Sequence, residues 1–324
     1  MERDVLTRTL TTFAIMMSLL PLTSRRGAAQ TEPKQTDSRA TFRASVDVVS
    51  VAAVVRDQRG RYVQNLTRSD FQVLENGRPR QILDFLSNDT GPMSLALLFD
   101  VSGSMSVGAK LEAAKHAADH VIGWLRPQQD QAALYAFDTR LIEIQPLTSD
   151  MGRLHDALDR LKPFGATSLY DAISATAKRV APHTKHRRAV LVLTDGVDTS
   201  SRLKAAQVSA AASEIDVPVY VFAVVSPLSD PASELSLKET ETPVADGSEL
   251  GNLAEWTGGR LFVLSTASHA PLMASELLRE LRHQYLIAFE PGSRAGWQRL
   301  EIRTRKKNLV VRARSGYVAG APQS

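Results

Sequence analysis

Asp100, Ser102 and Ser104 are spaced two apart in the stretch SLALLFDVSGSM. Their carboxylate and hydroxyl oxygens are hard donors, suited to Mg²⁺ or Ca²⁺ rather than to zinc or copper. The run before them, residues 95–99, has no charge and no alternation. That pattern suits a strand buried on both faces of a parallel sheet. The chain turns at Gly103 and takes up a helical pattern near Ala109, which puts the three oxygens at the carboxyl end of a central strand, where open α/β sheets bind ligands. Two further oxygen donors stand in comparable places. Thr167 lies in a Gly-Ala-Thr-Ser loop ahead of a helix, and Asp195 ends the strand AVLVLTD and precedes Gly196. All five fall at a strand end or a helix start on one edge of the expected sheet.

The elements that must hold these residues alternate. Strand 94–100 leads to helix 107–126, and strand 131–138 to a hairpin partner at 141–146. Helix 151–161 precedes the loop FGATSLYDAI and a helix ending near 180. Strand 189–195, helix 203–215 and strand 217–225 follow, then a polar loop over 226–246, helix 248–257, strand 259–264 and helix 271–283. Strands alternating with helices predict an α/β fold with a doubly wound, mostly parallel sheet covered on both faces. The flanks have a different texture. Residues 42–66 alternate around a turn at 57–60, and 70–75 and 81–85 flank Asn76 and Gly77, a strong hairpin signal. Residues 285–289, 297–304 and 308–314 alternate again, with a turn at 306–308. An isolated pair of hairpins is marginal. The economical reading is therefore a small β domain formed by both chain ends, 42–90 and 284–318, with the α/β domain of 91–283 inserted in it and a short tail at 319–324.

Residues 1–29 have the layout of a signal peptide: Arg3 and Arg8, an apolar run over 10–22, then Gly27, Ala28 and Ala29. The run is short for a membrane span, and no second apolar stretch is long enough to be one. Residues 30–41 read as a polar linker. These features predict export to the periplasm or beyond, with no transmembrane segment after cleavage. The 324 residues carry a formal net charge of +4, which is no nucleic-acid signature. Removing 1–29 takes away Arg3, Arg8, Arg25 and Arg26 against Glu2 and Asp4, so the remainder is only slightly basic. The chain has no cysteine, which excludes disulfides, thiolate metal sites and cysteine nucleophiles.

The motif DVSGS, with Thr167 and Asp195 in order behind it, resembles the DxSxS signature and the second and third metal-binding segments of the von Willebrand factor type A domain. That resemblance spans about 91–283. It implies a metal-ion-dependent adhesion site holding Mg²⁺, with Mn²⁺ or Ca²⁺ as alternatives. Ser102, Ser104 and Thr167 would coordinate through hydroxyls, and Asp100 and Asp195 directly or through water. One position would stay open for a carboxylate offered by a protein partner. The flanking segments VVSVAAVVRDQRGRYVQNLTRSDFQVLENGRPRQILDF and LEIRTRKKNLVVRARSGYV are similar to the ends of a family of exported VWFA-related domain proteins best known from Acidobacteria. The function implied is a non-enzymatic, metal-dependent binding module. The alternatives are an envelope scaffold whose metal orders its loops, and a hydrolase.

Other chemistry fits less well. A phosphatase-type Asp100 would want a second Asp at 102, which is Ser. Ser104 lacks the G-x-S-x-G elbow, and Lys110 lacks the context of a phosphate-binding loop. Asp171 reads as a helix-start carboxylate and Asp138 as a loop residue. His183 and His186, beside Arg187 and Arg188, read as a solvated cationic helix end. The basic residues from Arg303 to Arg314 read as the solvated face of a strand ribbon.

Overall fold

The strand β5 (Met93–Asp100) is buried along all eight residues. In the computed structural model, which describes residues 48–87, 90–180, 186–203, 217–225 and 248–320, it lies inside a six-stranded sheet. The other strands there are β6 (Gln131–Phe137), β7 (Leu141–Thr148), β8 (Arg187–Thr194), β9 (Val219–Val224) and β10 (Leu261–Leu264). Their order is β10-β9-β8-β5-β6-β7, parallel throughout except for the antiparallel edge strand β7. Five helices are described: α1 (Lys110–Trp124), α2 (Met151–Asp159), α3 (Leu169–Val180), α4 (Glu249–Trp256) and α5 (Ala270–Arg282). Alternation along β5 sorts them. Leu95, Leu97 and Phe99 pack with α1, α2 and α5, whereas Ala96 and Leu98 pack with α3 and α4. Both faces are therefore apolar, which is why the strand carries no alternation of polarity.

The chain leaves β5 toward β6 and leaves β8 toward β9, in opposite directions across the sheet. The crevice beyond the carboxyl ends of β5 and β8 is thus a topological switch point, the place where such sheets accept ligands.

The chain divides into two units, 1–45 and 46–324. The expected signal peptide and linker, the helix body over 204–216, the loop 226–247 and His183 lie outside the described residues. Within the second unit, strands from both sides of the central sheet build two four-stranded sheets with one shared apolar core. One has the order β13-β1-β11-β4 and the other β14-β12-β2-β3. They comprise β1 (Val49–Asp57), β2 (Phe71–Glu75), β3 (Arg78–Arg80), β4 (Ile82–Leu86), β11 (Tyr285–Phe289), β12 (Gly296–Thr304), β13 (Leu309–Ala313) and β14 (Gly316–Ala319).

Strand routing differs from the sequence expectation in three places. The described part of the first flank, 48–66, does not form a simple hairpin. After the turn at Gly60 only a single bridge, Arg56 to Tyr62, returns to β1, whose ladders run instead to β11 and β13. The Asn-Gly turn has positive φ at Asn76 (49°) and Gly77 (77°), as a type I′ hairpin requires. The strand it returns through is β3, at 78–80, while 82–86 crosses to the other sheet to pair with β11. Likewise β12 and β13 are not partners. The first pairs with β2 and β14, the second with β1. A local turn fixes a reversal, but alternation cannot say which sheet of a sandwich the next strand joins.

Some basic residues are also not solvated as read from the sequence. Arg187 is buried and donates to the Gln284 carbonyl at 3.2 Å, and His186 Nδ1 lies 2.8 Å from Ser94 Oγ. Arg314 is buried and donates to the Ser50 carbonyl at 3.1 Å. Arg312 points from β13 onto Glu280 of α5, a carboxylate with no exposure that also receives Arg56 of β1 at 3.1 Å. Arg56 reaches Glu276 as well, at 3.1 Å. The sandwich thus grips the α/β domain by α5. Burial alone would raise the Glu280 carboxyl, but Arg312, the Tyr220 hydroxyl and Arg56 outweigh it and hold the group below its ordinary range.

Truncating one member of this cluster strands the others. Glu280→Ala should cost about 2–3 kcal/mol in urea unfolding, somewhat below the range for fully buried pairs because both arginines keep some solvent contact. A depressed carboxylate contributes stability above its unfolded value of about 4.3 and loses it as pH falls through the folded value. Glu280→Gln should therefore flatten that part of the acid-denaturation curve, and an unchanged acid limb would contradict the clasp.

Candidate metal site

Asp100 is the last residue of β5 and has no exposure. Its Oδ1 accepts from the Ser102 amide at 2.9 Å, and its Oδ2 from the Thr194 hydroxyl at 2.6 Å. Thr194 ends β8, the neighbour of β5 in register. Burial pushes the Asp100 carboxyl above the ordinary carboxylate range, the bonds from Ser102 and Thr194 pull it back, and the nearby charge of Asp195 adds to the rise. Ionised Asp100 is therefore under-compensated within the protein, a condition that a bound cation relieves.

Beyond β5 the chain enters a 3₁₀ segment, Gly103–Ala109, with Ser102 extended at its entry. Ser102 Oγ and Ser104 Oγ are 3.0 Å apart. The Thr167 loop is tied to this segment by two backbone bonds, Gly103 N–H to the Gly165 carbonyl at 2.8 Å and Phe164 N–H to the Val101 carbonyl at 2.5 Å. Gly165 sits at φ 88°, and a Cβ there would meet Asp138 Oδ2 at 2.7 Å, so the loop requires glycine at that point. Asp138 braces the same loop, its carbonyl accepting from Ser168 N–H at 2.7 Å and its Oδ1 from Arg140 N–H at 2.8 Å.

The third segment is stitched to the second. The buried Thr167 donates its N–H to Thr199 Oγ1 at 3.0 Å, and its carbonyl accepts from the amides of Thr199 and Ser200 at 3.0 and 2.8 Å. Asp198 Oδ1 accepts from the amide of Leu169, the first residue of α3, at 2.8 Å and from Ser201 Oγ at 2.6 Å. Ser201 Oγ in turn accepts from Tyr170 N–H at 3.0 Å. Asp171 accepts from Arg202 N–H at 3.1 Å. The start of α3 is thus capped from a different loop.

Asp195 carries its side chain almost wholly buried, at 2% exposure, with Oδ2 accepting from Lys110 Nζ at 2.9 Å. Lys110 opens α1.

The structure therefore links Asp100 to Ser102, and Ser102 to Ser104, by direct hydrogen bonds. It reaches Asp195 through its neighbour Thr194, and joins Thr167 to the others through its loop's backbone. The donor set is two carboxylates and three hydroxyls, all hard oxygen. Among the described residues no cluster of three or more His, Asp or Glu offers a competing site. With an under-compensated carboxylate at its base and an ammonium already drawn to Asp195, this set fits a hard divalent cation.

Sequence reasoning missed Thr194, Asp198, Thr199 and Ser201, and weighed Lys110 only as a phosphate-loop lysine. The signal for Thr194 was its place beside Asp195 at a strand end, where parallel register sets it against Asp100.

Residues 95–197, which lie within the central domain, match the family model of the von Willebrand factor type A domain. No curated protein matches the chain. Solved structures similar to it include a von Willebrand factor type A protein from Catenulispora acidiphila. That one has 13% identity and TM-score 0.48, covering 86% of this chain and 76% of the other. The conserved hypothetical protein BatB from Bacteroides thetaiotaomicron has 19% identity and TM-score 0.44, covering 58% and 98%. Proximal thread matrix protein 1 from the mussel byssus, with a zinc-occupied MIDAS motif, has 17% identity and TM-score 0.46, covering 63% and 48%.

Removing the hydroxyl that supports Asp100 leaves a buried carboxylate oxygen unsatisfied. Thr194→Val should lower stability by about 1.5–3 kcal/mol, whereas Thr194→Ser keeps the donor and should retain most of it. Asp198→Ala uncaps α3 and should cost about 1–2 kcal/mol. Urea unfolding checks all three, and a neutral Thr194→Val would contradict this description of the site.

Proposed function

We propose that this von Willebrand factor type A domain is the working part of an exported, non-enzymatic binding protein. It would engage an acidic side chain of a protein partner through a divalent cation, Mg²⁺ first and Mn²⁺ or Ca²⁺ as alternatives. Asp100, Ser102, Ser104, Thr167 and Asp195 would hold the ion. The observation that carries this reading is the Asp100 arrangement: a fully buried carboxylate, braced on both oxygens, beneath two adjacent hydroxyls at the switch point of the sheet. When bound, the cation supplies a Lewis-acidic position for an oxygen ligand from outside. Neutral hydroxyls leave more of the cation's charge uncompensated than carboxylates would, which favours an anionic partner.

The residues around that position have other duties. Gly103, Gly165, Thr199 and Asp198 order the three loops through their own hydrogen bonds. This bonding weighs against the scaffold reading, in which the metal would be needed to order the loops. Ser104 has Ser102 as its hydroxyl neighbour and no base aligned on it among its described hydrogen bonds, which weighs against hydrolysis. Export rests on the N-terminal layout of residues 1–29, and no helix among the described residues is long and apolar enough to cross a membrane.

Titrating Mg²⁺ or Mn²⁺ into the chain should raise its stability by about 2.7 kcal/mol at a hundredfold excess over Kd, and Asp100→Ala should abolish the rise. Equal responses from both proteins would contradict the site. Partner capture from an envelope extract should be lost in EDTA while the melting profile stays cooperative. Capture that survives EDTA would favour the scaffold.

A further inference from the structure

Lys110 stands where a helix least favours a cation. As the first residue of α1 it faces the positive pole of the helix dipole. The route into that position is also unfavourable. Val107 is extended, and Gly108 (φ 65°) and then Ala109 (φ 58°) adopt left-handed backbone, the second with a side chain to accommodate. The result of this path is an ammonium 2.9 Å from Asp195 Oδ2, with the lysine side chain 17% exposed and the aspartate 2%. A mostly desolvated ion pair is not an incidental surface contact. It occupies one of the two carboxylates that the cation site needs.

We propose that Lys110 is a built-in competitor for the divalent cation, holding Asp195 when no ion is bound and weakening metal affinity by its charge. This rests on the reading of the five oxygens as a metal site. The charge count gives the direction. Asp100 and Asp195 carry two negative charges, which balance one divalent ion; with Lys110 present the occupied site has an excess positive charge. An incoming carboxylate restores the balance. Metal and acidic partner should therefore strengthen each other's binding, and by linkage they must do so equally. Lys110 is in this sense a positioning and affinity-setting residue, not a ligand.

The test is Mn²⁺ titration of the full chain by calorimetry, with melting curves in EDTA as a second readout. Two neutral variants are used, Lys110→Met and Lys110→Gln, with Lys110→Arg as the charge-retaining control. Both neutral variants should bind Mn²⁺ at least about tenfold more tightly than the unaltered chain, a gain of about 1.4 kcal/mol. They should melt lower in EDTA, and Lys110→Arg should stay near the unaltered affinity. The glutamine variant keeps a donor for Asp195 and guards against a methionine variant that fails to fold. Either neutral variant, folded and binding Mn²⁺ within threefold of the unaltered chain, overturns the inference. Asp100→Ala separates the two levels. If the unaltered chain binds, Asp100→Ala does not, and the neutral Lys110 variants show no gain, only the role of Lys110 fails. If no variant binds Mn²⁺ at all, the metal site fails and this inference with it.

Discussion

Asp100 is a carboxylate with no solvent exposure at the end of a strand buried on both faces. A charge in that position is costly unless its oxygens are hydrogen-bonded. One oxygen is served from its own chain, by the Ser102 amide, and the other from the neighbouring strand, by Thr194. The first bond folds the loop after β5 back on itself and sets the two serine hydroxyls side by side. The second couples the end of β5 to the end of β8 and fixes where Asp195 begins. From there Gly103 and Gly165 draw in the Thr167 loop, and Thr199 and Asp198 close the ring around the start of α3. The positions of the site residues thus follow from satisfying one buried charge.

The sandwich enters as a mount. Its two sheets each take strands from before and after the central domain, so the two chain flanks fold as one body. The grip on α5 is ionic, with Arg56 and Arg312 meeting at Glu280. Such a cluster is geometrically selective, because an unmatched member would leave a buried charge unpaired. It joins the sandwich to a helix on one face of the sheet, while the site lies at the carboxyl ends of the strands.

Much of this was legible in the sequence. The uninterrupted apolar run ahead of Asp100 requires burial on both faces, and the helical period that follows requires an α/β crossover. Together they placed Asp100, Ser102 and Ser104 at a strand end, with Thr167 and Asp195 on the same edge. What stayed hidden depends on register and on distant pairing. Thr194 looks like any polar strand terminus until β8 is set beside β5. Asp198 caps a helix whose first residue lies 29 positions earlier in the chain. Lys110 shows its role only when α1 is placed over Asp195. In the flanks, alternation identified strands but could not assign 82–86 or 309–313 to a sheet, because both faces of a sandwich read alike in one strand. Arg312 and Arg314 were indistinguishable by composition from their solvated neighbours on the ribbon.

The central claim is that three segments converge on one oxygen-lined cation position. Crystals grown with Mn²⁺ and measured near its absorption edge test it most directly. The account predicts one anomalous-difference peak about 2.0–2.3 Å from the hydroxyl oxygens of Ser102 and Ser104, with Thr167, Asp100 and Asp195 in its first or water-bridged shell. A peak placed elsewhere, such as at Asp138 or Asp198, or no peak at a Mn²⁺ concentration that shifts the melting temperature, would contradict it.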